Sequence, residues 1–180
     1  KDSDIVFRAK AGSRNREMVE VMERLARKGH AESQNGLGVC YGIGDCVKQD
    51  DNKSFGLFES SSMKGHSSAM VNLGYCYQTG KGVTQDKAKA FEWYLKSASN
   101  GFAVAMNCVG FCYTHGEGVT QDFTKAYEWY LKSANNGYAA AMFNVGRCYS
   151  KGQGVTEDET KAYEWYLKAA NNGNAVAMRN

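Results

Sequence analysis

A chain of 180 residues has room for one compact domain or a short row of repeats, and its 22 Lys and Arg against 19 Asp and Glu leave a net charge of only +3. The excess lies in residues 1–30, with eight basic and five acidic side chains; the other 150 balance without a basic stripe, so no nucleic-acid partner is expected. The longest apolar run, Tyr138 to Phe143, is far short of the ~20 residues a membrane span needs, so none is expected.

Proline is absent, where average usage predicts about nine, and there are 20 glycines. Such a chain suggests many helices separated by glycine turns. Trp93, Trp129 and Trp165 stand 36 residues apart, and columns such as Gly38, Gly74, Gly110 and Gly146 share that spacing. In all, 16 of the 20 glycines fall in repeat columns, so a solenoid of repeated units is predicted.

Residues 1–30 fit the back half of a degraded repeat that caps the stack, with Met18, Val21, Met22 and Leu25 at second-helix positions. Four units follow, at 31–66, 67–102, 103–138 and 139–174, the first divergent. In the third, Met106, Val109, Gly110 and Tyr113 share one face of a first helix. The segment Gly116 to Gln121 reads as a turn, and Asp122 stands where an N-cap belongs, as do Asp50, Asp86 and Asp158. A second helix then carries Ala126, Trp129, Tyr130 and Ser133 on its apolar side and ends at Asn136-Gly137. The tryptophans are expected to wedge between the helices of one unit and the next. Residues 175–180 repeat the opening of a further unit, so the natural protein is expected to continue.

The run Leu73-Gly74, Tyr77, Gly80-Lys81-Gly82-Val83, Asp86, Lys89-Ala90, Trp93-Tyr94, Lys96-Ser97-Ala98 and Gly101 resembles the Sel-one-like repeat family, a relative of the tetratricopeptide repeats. The likeness covers 31–180 and is weaker in the first unit, where Cys46 replaces a turn glycine and Leu57 the tryptophan. It implies an all-α, right-handed α-solenoid of helix-turn-helix repeats. It also implies an adaptor that holds partner proteins together, not an enzyme, with neither catalytic residue nor cofactor.

Chemistry fares poorly against packing. Cys40, Cys76, Cys112 and Cys148 form another 36-residue column. First helices in a stack lie about 8–10 Å apart, while a disulfide needs Cα atoms within about 7 Å. The column therefore reads as small buried residues, and reduced thiols point to an intracellular, cytoplasmic protein. Cys108, Cys112 and His115 share a helical face, but neighbouring units do not repeat the set and a fourth metal ligand is lacking, so no metal site is expected. Cys46, in a turn, is the odd thiol.

Comparison of the last two units locates a binding face. Of 36 positions 25 are identical, and the first-helix differences fall on a single stripe. Identity is demanded where the same neighbours recur, so the variable stripe should line the concave side of the stack. It presents Asn35, Val39 and Ile43; Val71, Asn72 and Tyr75; Asn107, Phe111 and His115; then Phe143, Asn144, Arg147 and Lys151. The amides suit an extended peptide's backbone and the aromatics its side chains, unless the aromatics pack between adjacent first helices. A protein or peptide partner in this groove is the leading expectation. A regulatory region of a larger multidomain enzyme such as a kinase, and a metal-dependent enzyme, are the alternatives.

Overall fold

A computed structural model describes residues 12–44 and 47–173, so the expectations for residues 1–11, for Cys46 and for 175–180 lie outside the described residues. The described residues form a right-handed α-solenoid of nine helices without a strand. α1 (Gly12–Arg27) precedes four pairs. The pairs are α2 (Ala31–Ile43) with α3 (Asp51–Ser62), α4 (Ser67–Thr79) with α5 (Lys87–Ser99), α6 (Ala103–His115) with α7 (Phe123–Asn135), and α8 (Ala139–Lys151) with α9 (Glu159–Asn171). No described helix is long and apolar enough to cross a membrane.

Each element starts and stops where local chemistry requires. Asp50, Asp86, Asp122 and Asp158 cap the second helices, each carboxylate accepting from the backbone N–H three residues on. Of the first helices, α4 is capped by a ring: His66 Nδ1 accepts from the Ala69 N–H at 3.2 Å. The turn after α6 needs glycine for two reasons. Gly116 is left-handed at φ +67°, and Gly118, at φ +72°, passes so close to α5 that a Cβ would run into the Lys87 carbonyl. The turn thus joins one unit to the one before it.

The core lies between the second helix of one unit and the first helix of the next. Ala90, Tyr94 and Ala98 of α5 are buried against Ala105, Val109 and Cys112 of α6. On α6 it is Ala105, Val109, Gly110 and Cys112 that are fully buried, while Met106 and Tyr113 are half-buried. Edge-to-face pairs run along the same junctions: Phe55–Tyr77, Phe91–Tyr113 and Tyr127–Tyr149, with centroids 5.4–5.7 Å apart.

Within a unit, the residue that enters the gap opened by the helical glycine is the aromatic next to the tryptophan. A Cβ on Gly110 would lie 2.7 Å from the Tyr130 ring, and Gly74 and Gly146 stand equally close to Tyr94 and Tyr166. The tryptophans, expected as wedges, are half-buried instead. Trp129 packs on the α5–α6 core with one face and holds Lys132 Nζ over its ring at 4.5 Å. Trp93 and Trp165 do the same with Lys96 and Lys168.

At the N-terminal end, α1 buries Val19 and Ala26 against Leu37 of α2. Gln34, also buried, donates to the Ala26 carbonyl and accepts from Lys64, so its amide is satisfied on both sides.

Candidate interaction face

The stripe predicted to bind a partner lies on the first helices α2, α4, α6 and α8, but its members do different things. The asparagines are paired with each other. Asn72 Nδ2 donates to Asn35 Oδ1 at 2.9 Å, and Asn144 Nδ2 donates to Asn107 Oδ1 at 2.8 Å. These bonds bridge consecutive first helices, so each amide offers a peptide only its remaining valence. At the junction between α4 and α6 the same two frame positions hold Val71 and Cys108, both packed on the core. Polar and apolar bridges therefore alternate along the stack.

The aromatics divide as well. Tyr75 and Phe111 occupy one repeat position on adjacent first helices and remain 47% and 39% exposed. His115 lies against Phe111, with ring centroids 4.1 Å apart and Nδ1 3.0 Å from the Phe111 carbonyl oxygen. That placement turns it away from any joint role with the Cys108 and Cys112 thiols. Phe143 is half-buried on Tyr166 at 5.2 Å. Arg147 is also half-buried, beside Tyr130, where its charge partly opposes the rise that burial imposes on the phenol, pushed up to about 12. Lys151 is exposed.

One groove gathers five of the predicted residues. Val71, Asn72, Tyr75, Asn107 and Phe111 line a space of about 380 Å³ between α4 and α6. Gln78, Tyr94 and Cys108 complete its wall. Gln78 was missed by a comparison limited to the last two units, although the equivalent Thr114 and Ser150 stood among their differences. It organises the rim: Tyr94 OH donates to Gln78 Oε1 at 2.8 Å, and Gln78 Nε2 donates to Glu117 Oε2 at 2.6 Å. Lys87 Nζ lies 2.9 Å from Glu117 Oε1. The Gln78 hydrogen bond, then Lys87, hold the Glu117 carboxyl below its usual range.

The thiols of the first helices are chemically quiet. Desolvation pushes Cys76, Cys108 and Cys148 up to about 11 and Cys112 to about 12. Among the described residues no three His, Cys, Asp or Glu side chains gather as a metal would require. What the face offers is shape, aromatic surface and fixed amides.

Comparison with known proteins agrees with this architecture. The Sel1 repeat model matches residues 31–66, 67–102, 103–138 and 139–174. No curated protein matches. Among solved structures, c5321, a protective antigen of uropathogenic Escherichia coli strains displaying an SLR fold, is 34% identical with a TM-score of 0.81. The match covers 88% of this chain and 34% of that one. A Sel1 repeat protein from Oxalobacter formigenes is 28% identical with a TM-score of 0.84, over 89% of this chain and 64% of the other. The immunity protein Pa5087 from Pseudomonas aeruginosa shares the fold at 19% identity and a TM-score of 0.68, over 95% and 62% of the two chains. The chain thus spans about a third of the length of the first of these proteins and under two thirds of the others. With four matches covering residues 31–174, the chain belongs to the Sel1 repeat family.

Proposed function

We propose that the protein is an interaction module that holds an extended segment of a partner protein along the first-helix face, in the groove between α4 and α6. Sel1 repeat proteins are typically protein-interaction scaffolds, and the fold is generally non-catalytic. The observation that carries the finer reading is the pair Tyr75 and Phe111, two large aromatics left accessible one repeat apart on the walls of one groove. Exposed aromatics flanking a concavity are the composition of an interaction surface. The Asn35–Asn72 and Asn107–Asn144 amide pairs on either side leave hydrogen-bonding groups along the same line.

The test is affinity capture from the source organism's extract with the intact chain, against the double variant Tyr75→Ala with Phe111→Ala. A specific partner should bind the parent and bind the variant at least tenfold more weakly, as loss of two anchors implies. Melting should fall only modestly, because both rings are partly accessible. Undiminished capture by a folded variant would place the partner elsewhere on the solenoid.

A further inference from the structure

Each amide bridge on the first-helix face engages only half of either asparagine. Asn72 Nδ2 donates to Asn35 on α2, and its Oδ1 receives no donor among the described residues. Asn107 Oδ1 accepts from Asn144 on α8, and its Nδ2 donates to none of them. The bonded arms thus reach outward, to α2 and α8, while both side chains line the groove between α4 and α6. That groove is left with an acceptor on its α4 wall and two N–H donors on its α6 wall.

The lining carries no charge. Val71 and Cys108 pack on the core, and desolvation pushes the Cys108 thiol up to about 11, so it stays protonated near neutrality. Gln78 is engaged by Tyr94 and Glu117, and Glu117 in turn by Gln78 and Lys87. The ions nearby lie outside the groove. Lys81 stands over the Tyr75 ring beside the space between α2 and α4, which Asp51 also lines. His115 lies against Phe111, with Nδ1 at the Phe111 carbonyl. At about 380 Å³ the groove has the size of a small ligand pocket.

We propose that this groove is a carboxamide pocket: it takes a Gln or Asn side chain of the partner segment, whose NH₂ donates to Asn72 Oδ1 and whose carbonyl accepts from Asn107 Nδ2. The inference rests on the interaction reading above and names the residue that reading leaves open. Two hydrogen bonds of about 2.9 Å, with a planar amide between them, join walls on helices that pack about 8–10 Å apart. A carboxylate brings no donor for Asn72 Oδ1, and an ammonium brings no acceptor for Asn107 Nδ2. A hydroxyl does both, but from one atom rather than across the groove. A main-chain amide has both groups, yet the Asn35–Asn72 and Asn107–Asn144 bridges stand across the face on either side. The backbone therefore passes over the bridges and a side chain enters between them.

Random peptides displayed on phage, selected against the intact chain, test this. Enriched peptides should share one Gln or Asn, and their affinity should change little with salt. In a synthetic copy, replacing that residue by Met or by Glu should weaken binding at least tenfold, because Asn72 and Asn107 are then left without a matched partner. Asn107→Asp keeps the oxygen that accepts from Asn144 and removes the two donors; it should weaken the parent peptide similarly and leave the Met peptide's affinity unchanged. The peptide substitutions test the pocket whatever Asn107→Asp does to the fold. Selection without a shared carboxamide, Met or Glu peptides that bind as tightly, or a folded Asn107→Asp that binds undiminished overturns the pocket. If the selected peptides are nonetheless lost in Tyr75→Ala/Phe111→Ala, the interaction face survives and the pocket alone falls. Peptides indifferent to both variants sink the interaction reading as well. Self-association of the parent that Asn107→Asp abolishes also overturns the proposal, since the occupant is then a second copy.

Discussion

Ser61, Ser97 and Ser133 are fully buried, and each hydroxyl donates to the carbonyl of the residue that opens the first helix of its own unit: Ala31, Ser67 and Ala103, at 2.6–2.9 Å. Their neighbour Ser62 is equally buried and its Oγ has no partner. The later units place Ala98, Ala134 and Ala170 at that position. An unsatisfied buried hydroxyl costs roughly 1–3 kcal/mol, so Ser62→Ala should raise stability by about 1 kcal/mol in urea unfolding. An unchanged or lowered midpoint would mean that the hydroxyl has a partner in solution. The thiols make a second prediction at this scale. With Cys76, Cys112 and Cys148 buried and pushed up to about 11 to 12, their thiolate population near neutrality is very small. Labelling by a disulfide reagent at about pH 8 should therefore wait on unfolding. Rapid modification of all three in the folded chain would contradict the burial described here.

The starts of the second helices and the ends of the first were legible in the sequence because each has a one-residue cause, an Asp cap or a left-handed glycine. Asp122 accepts from the Lys125 N–H at 2.9 Å, and Asp158 from the Lys161 N–H at 2.9 Å; these bonds, first among the causes, hold both carboxyls below their ordinary range. A depressed folded pKa contributes stability that is fully present above the unfolded value, near 4, and is lost as pH falls through the folded one. Asn caps about as well as Asp but carries no charge. Asp122→Asn should therefore melt close to the parent near neutrality and lose less stability on acidification below about pH 4. An acid slope identical to the parent's would show that this cap does not contribute to it. Which aromatic enters the core was not legible, because Trp129 and Tyr130 are adjacent and both fit a helical period. Tyr130 fills the gap at Gly110 and Trp129 lies across the outside of the core. Trp129→Ala should accordingly cost about 2–3 kcal/mol rather than the ~3–5 of a fully buried aromatic. The asparagine pairs escaped for a different reason. Each joins residues 37 apart, one step out of the 36-residue frame, so comparison down a column cannot see them.

At the scale of the whole molecule, the units share a frame but not an environment, and the same substitution should have different consequences along the stack. In a solenoid each unit is held by its neighbours, so an inner unit is confined on two sides. Gly110 and Gly146 are matched helical positions: a Cβ at either would lie 2.7 Å from the ring of Tyr130 or Tyr166. Tyr130, on α7, is 5% exposed, covered by α8 and tied to Thr114. Tyr166, on α9, is half-buried at the end of the described stack, where Tyr163 and Leu167 of the same helix are 68% and 49% exposed. Replacing a helical glycine by alanine gains about 1 kcal/mol of propensity, while forcing an extra methyl into a packed core costs roughly 1–3 kcal/mol. At Gly110 the ring has nowhere to go, so the overpacking cost should win and Gly110→Ala should destabilise by about 1–2 kcal/mol. At Gly146 the ring is less covered, but the added methyl would also lie 3.2 Å from the Ala162 carbonyl, so Gly146→Ala should still destabilise, by less than Gly110→Ala. Urea unfolding of the two variants side by side reads the difference. Equal losses at both positions would show that Tyr166 is held as firmly as Tyr130 and that the fourth unit is as confined as the third.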